Sequence, residues 1–191
     1  MTGHYSLDAT ERAVSRRLAG LPIDRAAMSA VGNLYRAAGR MRNHFERTVL
    51  AEQSLTWTAW VVLWVVWLFD ELETRHVAEE AGISKPTLTG VVTTLEGRGL
   101  VRRRRHPDDG RRVLLSLTAN GQEVMAELFP KFNQYESQAV AVLNPQELAT
   151  VSEGLRKVIT HLEDLDGVAP PALGGDTGNA DTAPTRSPAI G

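Results

Sequence analysis

The chain has 191 residues, 42% hydrophobic and 23% charged, enough for one sizeable core with sequence left over. Its net charge of −2 excludes a uniformly basic coat, so any nucleic-acid surface must be local. The lack of cysteine excludes disulfides, thiolate-ligated zinc, iron–sulfur centres and thiol redox switches.

Residues 1–23 read as an N-terminal extension. Charges interrupt its apolar residues, so it does not read as a secretory leader, and the expectation is a cytoplasmic protein. Within it, Leu7, Val14, Leu18 and Leu21 predict a short helix, with Asp8 and Glu11 as capping box and Pro22 ending it. Residues 24–55 hold a second amphipathic helix, from about Asp24 to Val49, marked by Val31, Leu34, Tyr35, Ala38, Met41 and Phe45. The most apolar stretch, Ala59 to Phe69, has 11 residues, whereas a helix crossing a bilayer needs about 20. It predicts a buried helix, with no membrane partner.

All four tryptophans, Trp57, Trp60, Trp64 and Trp67, recur at spacings of 3, 4 and 3 on that helix and therefore share one face. Such a stripe serves as core packing. Alternatively Trp57, Trp60 and Trp64 line a cavity for a planar or hydrophobic effector, with Arg40 and His44 orienting it.

Residues 56–118 read as one domain, within which the pattern changes from Glu73 to Thr118. A short helix is predicted around Thr74 to Ala81, then the turn Gly82-Ile83-Ser84, then a helix from Lys85 to about Arg98 capped by Ser84. Val77, Ala78 and Ile83 can pack on Leu88, Val91, Val92 and Leu95, the arrangement of a helix-turn-helix. The outward face of its second helix bears Lys85, Thr87, Thr89, Gly90, Thr93 and Thr94, small or polar groups suited to a major groove. Two strand-like runs follow, Val101 with Arg102, Arg103, Arg104 and Arg105, then Val113 to Leu117. The turn between them holds Pro107, Asp108, Asp109 and Gly110, leading into Arg111 and Arg112. Residues 98–112 contain seven arginines and two aspartates, so the positive charge is gathered in one hairpin. An arginine hairpin beside a hydroxyl-lined helix matches a winged helix-turn-helix, its wing reaching phosphates and the minor groove of double-stranded DNA.

Residues 119–166 read as helical again. Thr118 caps a helix that Pro130 should bend or break. Asn144, Pro145 and Glu147 then start another, on which Leu148, Val151, Leu155, Val158, Leu162 and Leu165 keep an a/d rhythm. That stripe is either a core face or a seam between subunits. Residues 167–191, rich in Gly and Pro, predict a disordered tail. The fold expected is mainly α, a winged helix-turn-helix with a two-stranded β wing between N- and C-terminal helices.

Over residues 24–165 the sequence resembles the MarR family of bacterial transcriptional regulators. The resemblance rests on Asp109-Gly110-Arg111 leading into Leu117-Thr118, the family's wing pattern, and on Leu95-Glu96-Gly97-Arg98-Gly99-Leu100-Val101, the end of its recognition helix. It implies a homodimer whose terminal helices interlock, a pseudo-palindromic operator and a small-molecule effector, commonly as a repressor. It further implies that Arg111 is the wing-tip minor-groove arginine and that Ser84, Lys85, Thr87 and Thr89 begin the recognition helix. Gly90 departs from the family, in which many members have a basic residue there, so the base preference does not transfer.

His4, His44, His76, His106 and His161 lack metal-binding spacing, and neither a nucleophile triad nor a phosphate-cradling glycine loop is present. No cofactor, no metal and no enzymatic activity are expected. The competing reading is a ligand-binding or protein-interaction module that keeps the winged fold without sequence-specific DNA recognition.

Overall fold

The computed structural model describes residues 6–165; the predicted tail and His4 lie outside the described residues. The chain divides into two compact units, Met1–Ala139 and Val140–Gly191.

The first unit begins with α1 (Leu7–Arg17) and α2 (Arg25–Arg47). Ser6, not Asp8, caps α1, its hydroxyl accepting from the Ala9 amide at 3.2 Å. Asp8 already lies inside the first turn, where its charge complements the helix dipole instead. Asp24 caps α2, accepting from the Ala27 amide at 2.9 Å. Helix α3 (Trp57–Phe69) is the buried helix of the sequence reading, with Ala59, Trp60, Val62, Leu63, Val65 and Val66 all buried. Its N-terminus is satisfied twice, by the Thr56 hydroxyl on the Ala59 amide and by Glu46 from α2 on the Trp57 amide at 2.7 Å. A carboxylate at a helix N-terminus is also favoured by the helix dipole.

Next come β1 (Glu71–Glu73), α4 (Thr74–Glu80) and α5 (Lys85–Gly97), then β2 (Val101–Arg105) and β3 (Val113–Leu117). The turn between α4 and α5 passes through Gly82 at φ 61°, a left-handed conformation that glycine adopts without steric cost. The hairpin of β2 and β3 matches expectation, but the sheet has three antiparallel strands in the order β1-β3-β2. The expected two-stranded sheet is thus extended by β1, whose register sets Glu71 opposite Ser116 and Glu73 opposite Leu114. With three residues and no turn signal around it, β1 is too short to show in periodicity.

Helix α6 (Ala119–Ala139) closes the unit, capped by Thr118, whose hydroxyl accepts from the Gly121 amide at 3.0 Å. It runs through Pro130 without the expected break. Proline removes one helical hydrogen bond, at a cost of about 3 kcal/mol. Met125, Leu128 and Phe132, buried on either side of it, keep the helix continuous. The same helix needs glycine at 121, because a Cβ there would lie 2.0 Å from the Leu100 carbonyl oxygen. The core of the unit is one cluster joining the end of α2, most of α3, the inward faces of α4, α5 and α6, and Leu100, Val101, Leu115 and Leu117.

The second unit contains α7 (Pro145–Leu165). Its capping box forms as read: the Asn144 side chain accepts from the Gln146 and Glu147 amides, and Glu147 accepts from the Asn144 amide at 2.9 Å. None of its residues is buried.

Candidate nucleic-acid interface

Helix α5 turns Leu88, Val92 and Leu95 into the core, so geometry alone sends Lys85, Thr87, Thr89, Gly90, Thr93 and Thr94 outward, and all six are exposed. Ser84 caps it by accepting from the Thr87 amide at 3.2 Å, and the two hydroxyls contact each other at 2.8 Å. Further along, the threonine hydroxyls donate to their own helix. Thr89 bonds the Lys85 carbonyl at 3.0 Å, Thr93 the Thr89 carbonyl at 2.8 Å and Thr94 the Gly90 carbonyl at 3.2 Å. These bonds fix the rotamers of the exposed row.

The wing stands beside this row, with its arginines in two classes. Arg103 reaches back to α5, donating to the Thr93 hydroxyl at 2.9 Å and pairing with Glu96 at 3.1 Å. Arg104 forms a two-pronged pair with Glu71 of β1, one prong at 2.6 Å, and Arg112 pairs with Glu73. Arg75 also pairs with Glu73, at 3.1 Å, so this nearly buried carboxylate has two guanidinium partners. Arg102 donates to Ser116, and Arg98 to the Ser54 and Gln53 carbonyls. Three acids outside the basic segment, Glu71, Glu73 and Glu96, therefore neutralise three of its seven arginines.

The guanidinium groups of Arg105 and Arg111 stay open. Among the described residues the Arg105 side chain, unlike its backbone, which pairs with Val113, has neither hydrogen bond nor ion pair. Arg111, with its side chain 96% exposed, has only Asp109 at 3.6 Å. Asp109 builds the tip by accepting from the Arg111 amide at 3.0 Å, and the Arg112 amide closes on the Asp109 carbonyl at 2.9 Å. Pairing also shifts titration. The Arg104 hydrogen bond holds the Glu71 carboxyl below the usual carboxylate range against a smaller opposing effect of burial, with Arg104, Arg102 and His106 charges adding to it. Glu71 in turn raises Arg104.

Sequence reasoning missed Glu71, Glu73 and Glu96 as partners of the wing. The one available signal was the alternation Glu71-Leu72-Glu73, a period-2 pattern three residues long.

Of the residues nominated for an effector, Trp57, Trp60 and Trp64 belong to one aromatic network with Phe45, Phe129 and Phe132. Trp60 is buried and stacks on Phe132, with ring centres 4.3 Å apart, while Trp64 stacks on Phe129 at 4.7 Å. Arg40 is exposed, and His44 packs its ring near Phe45 and Tyr135. Trp57 lines a cleft of about 310 Å³ together with Tyr35, Ala38, Gly39 and Arg42, the last standing where Arg40 was expected. Helical spacing explains the substitution: positions 35, 38, 39 and 42 share a face of α2 that excludes position 40.

Comparison with known proteins decides the family. Residues 55–113 match the MarR family model. An uncharacterized HTH-type transcriptional regulator of Bacillus subtilis, YwaE, is 34% identical over 162 residues, covering 83% of this chain and 95% of the relative. The chain belongs to the MarR family. Among solved structures, Bordetella bronchiseptica BpsR, whose DNA binding is regulated by 6-hydroxynicotinic acid, superposes with a TM-score of 0.63 at 28% identity. The match covers 68% of this chain and 98% of BpsR. NadR in complex with 4-hydroxyphenylacetate gives 0.57 at 28% identity, covering 66% of this chain and 89% of NadR. This MarR-family chain is thus a transcriptional regulator with a winged helix-turn-helix, in which α4 and α5 form the helix pair and the β2–β3 hairpin the wing. No described helix is long and apolar enough to cross a membrane.

Proposed function

We propose that the protein is a ligand-responsive repressor that binds a pseudo-palindromic operator as a homodimer. The observation that carries the reading is the brace from Arg103 to Thr93 and Glu96, which joins the wing to α5 while leaving the outer row of α5 and the wing-tip arginine exposed. A helix and a hairpin held in one rigid relation can enter a major groove and the adjoining minor groove together. In this reading Ser84, Lys85, Thr87 and Thr89 face the major groove, Arg105 meets phosphate, and Arg111 enters the minor groove. Thr93, Arg103, Arg104 and Arg112 hold those groups in place.

The homodimer is supported by apolar side chains left bare in each unit. Val31, Leu34 and Tyr35 on α2, and Leu148, Val151, Leu155, Val158 and Leu162 on α7, are all exposed. Stripes of this kind in a folded chain are suited to a second copy, and two-fold symmetry then matches two half-sites about one helical turn apart. The effector reading rests on the Trp57 cleft, where an arginine and two aromatic rings suit an aromatic acid of the kind named for BpsR and NadR.

The test is binding of the full chain to duplexes selected from a random pool, measured across salt concentrations. Arg111→Ala should weaken binding and reduce the salt slope by about one. The paired variant Arg104→Ala with Glu71→Gln should leave the slope unchanged, because the two charges it removes cancel each other. A selected pool with no enriched half-site would defeat the operator reading.

A further inference from the structure

The hydrogen bonds along α5 restrict which base edges it can read. A hydroxyl has one proton to donate and two lone pairs to accept with. In Thr89, Thr93 and Thr94 the proton is committed to a carbonyl one turn back. On Thr93 an accepting position is occupied as well, by the Arg103 guanidinium at 2.9 Å. Thr89 and Thr94 are left exposed, each offering a bare oxygen and a methyl group. Between them Gly90 contributes no side chain, and a Cβ there would meet nothing within 4 Å inside the protein. Lys85 is the sole basic residue of α5, which contains no arginine. The row from Thr89 to Thr94 therefore has acceptors and methyls but no donor.

Base edges in the major groove differ in what they answer to such a row. A G·C pair shows the guanine acceptors O6 and N7, which a proton-less oxygen repels, and a cytosine N4 amine with no methyl group beside it. An A·T pair shows the adenine N6 amine, a donor, and the thymine methyl, an apolar partner. We infer that Thr89 and Thr94 are specificity-determining residues of α5, each reading an A·T pair through an acceptor contact to adenine N6 and a methyl contact to thymine. This rests on the proposed placement of α5 in the major groove. It also accounts for an outward face that lacks the bidentate guanidinium or amide side chains usual at base contacts: the selective group is the orientation of a hydroxyl, not its identity.

The experiment isolates the two halves of one threonine. The half-site is first obtained by selection with the full-length wild-type chain, and the base pair read by position 89 is found as the one whose preference Thr89→Val relaxes. At that pair, adenine is replaced by purine, which lacks the amine, and separately thymine by uracil, which lacks the methyl. Loss of one hydrogen bond should cost the wild type about five- to tenfold in affinity on the purine duplex. Thr89→Val, which keeps the shape without the acceptor, should be indifferent to purine and still sensitive to uracil. Thr89→Ser, which keeps the acceptor without the methyl, should show the reverse. A half-site bound specifically by the wild type but with G·C at that pair, or with affinity unchanged by purine, overturns the inference and leaves the operator reading standing. A selection that enriches no sequence overturns both.

Discussion

Helices α3 and α7 are both rich in apolar side chains, and the fold treats them in opposite ways. In α3 six residues are buried and the tryptophans meet Phe45, Phe129 and Phe132 of the same chain. In α7 the leucines and valines of a regular heptad stripe include no buried residue. The difference is one of pattern. An all-round apolar helix can be stable only inside a core, whereas a helix apolar along one stripe carries its own solvated face and needs only a narrow partner. The tryptophan helix finds its partners within one chain; α7 keeps a surface suited to another.

That contrast predicts effects of different kinds. The largest is expected on association: Leu155→Asp with Leu162→Asp should convert a homodimer into monomers at micromolar concentration in sedimentation, with the helical signal retained. An unchanged mass would remove α7 from the interface. Trp60→Ala should lower stability to urea by about 3–5 kcal/mol, the range for emptying a large aromatic site. The loss should be the same at every protein concentration when measured in the monomeric double variant; a concentration-dependent loss there would erase the contrast. Gly121→Ala should destabilise by about 1–3 kcal/mol, because its Cβ must displace the Leu100 carbonyl from α6. The smallest effect belongs to Glu71, whose carboxyl is held below its ordinary value by Arg104. A lowered folded value means that the stabilisation is fully present above the unfolded carboxylate value of about 4.3 and fades as pH falls through the folded one. Wild type and Glu71→Gln should therefore differ in melting temperature by a degree or two, estimated as roughly half a kcal/mol for an exposed pair, at neutral pH and converge in acid.

Most of the local signals in the sequence are readable where the deciding partner lies within a turn. Asn144, Pro145 and Glu147 start α7, Ser84 starts α5 and Thr118 starts α6, because a cap is made by groups two or three residues apart. The cap of α1 was misplaced by two residues since Ser6 and Asp8 are both competent and only the backbone chooses. Of the two outcomes expected at Pro130, a bend or a break, the break follows from local cost alone and omits the packing that opposes it.

What the sequence determined by itself was the architecture and its punctuation: helices where apolar residues recur at helical spacing, a hairpin where strand-like runs flank Pro107 to Gly110, and the concentration of arginine in that hairpin. What only the tertiary structure decided was which of those arginines remain free. Arg104 and Glu71 are 33 residues apart, and Arg98 and Ser54 are 44 apart. Such pairs form only after the chain has folded, when a three-residue strand invisible to periodicity joins β3 and brings its carboxylates onto the wing. Charge can be counted along a sequence, but its neutralisation depends on distance in space.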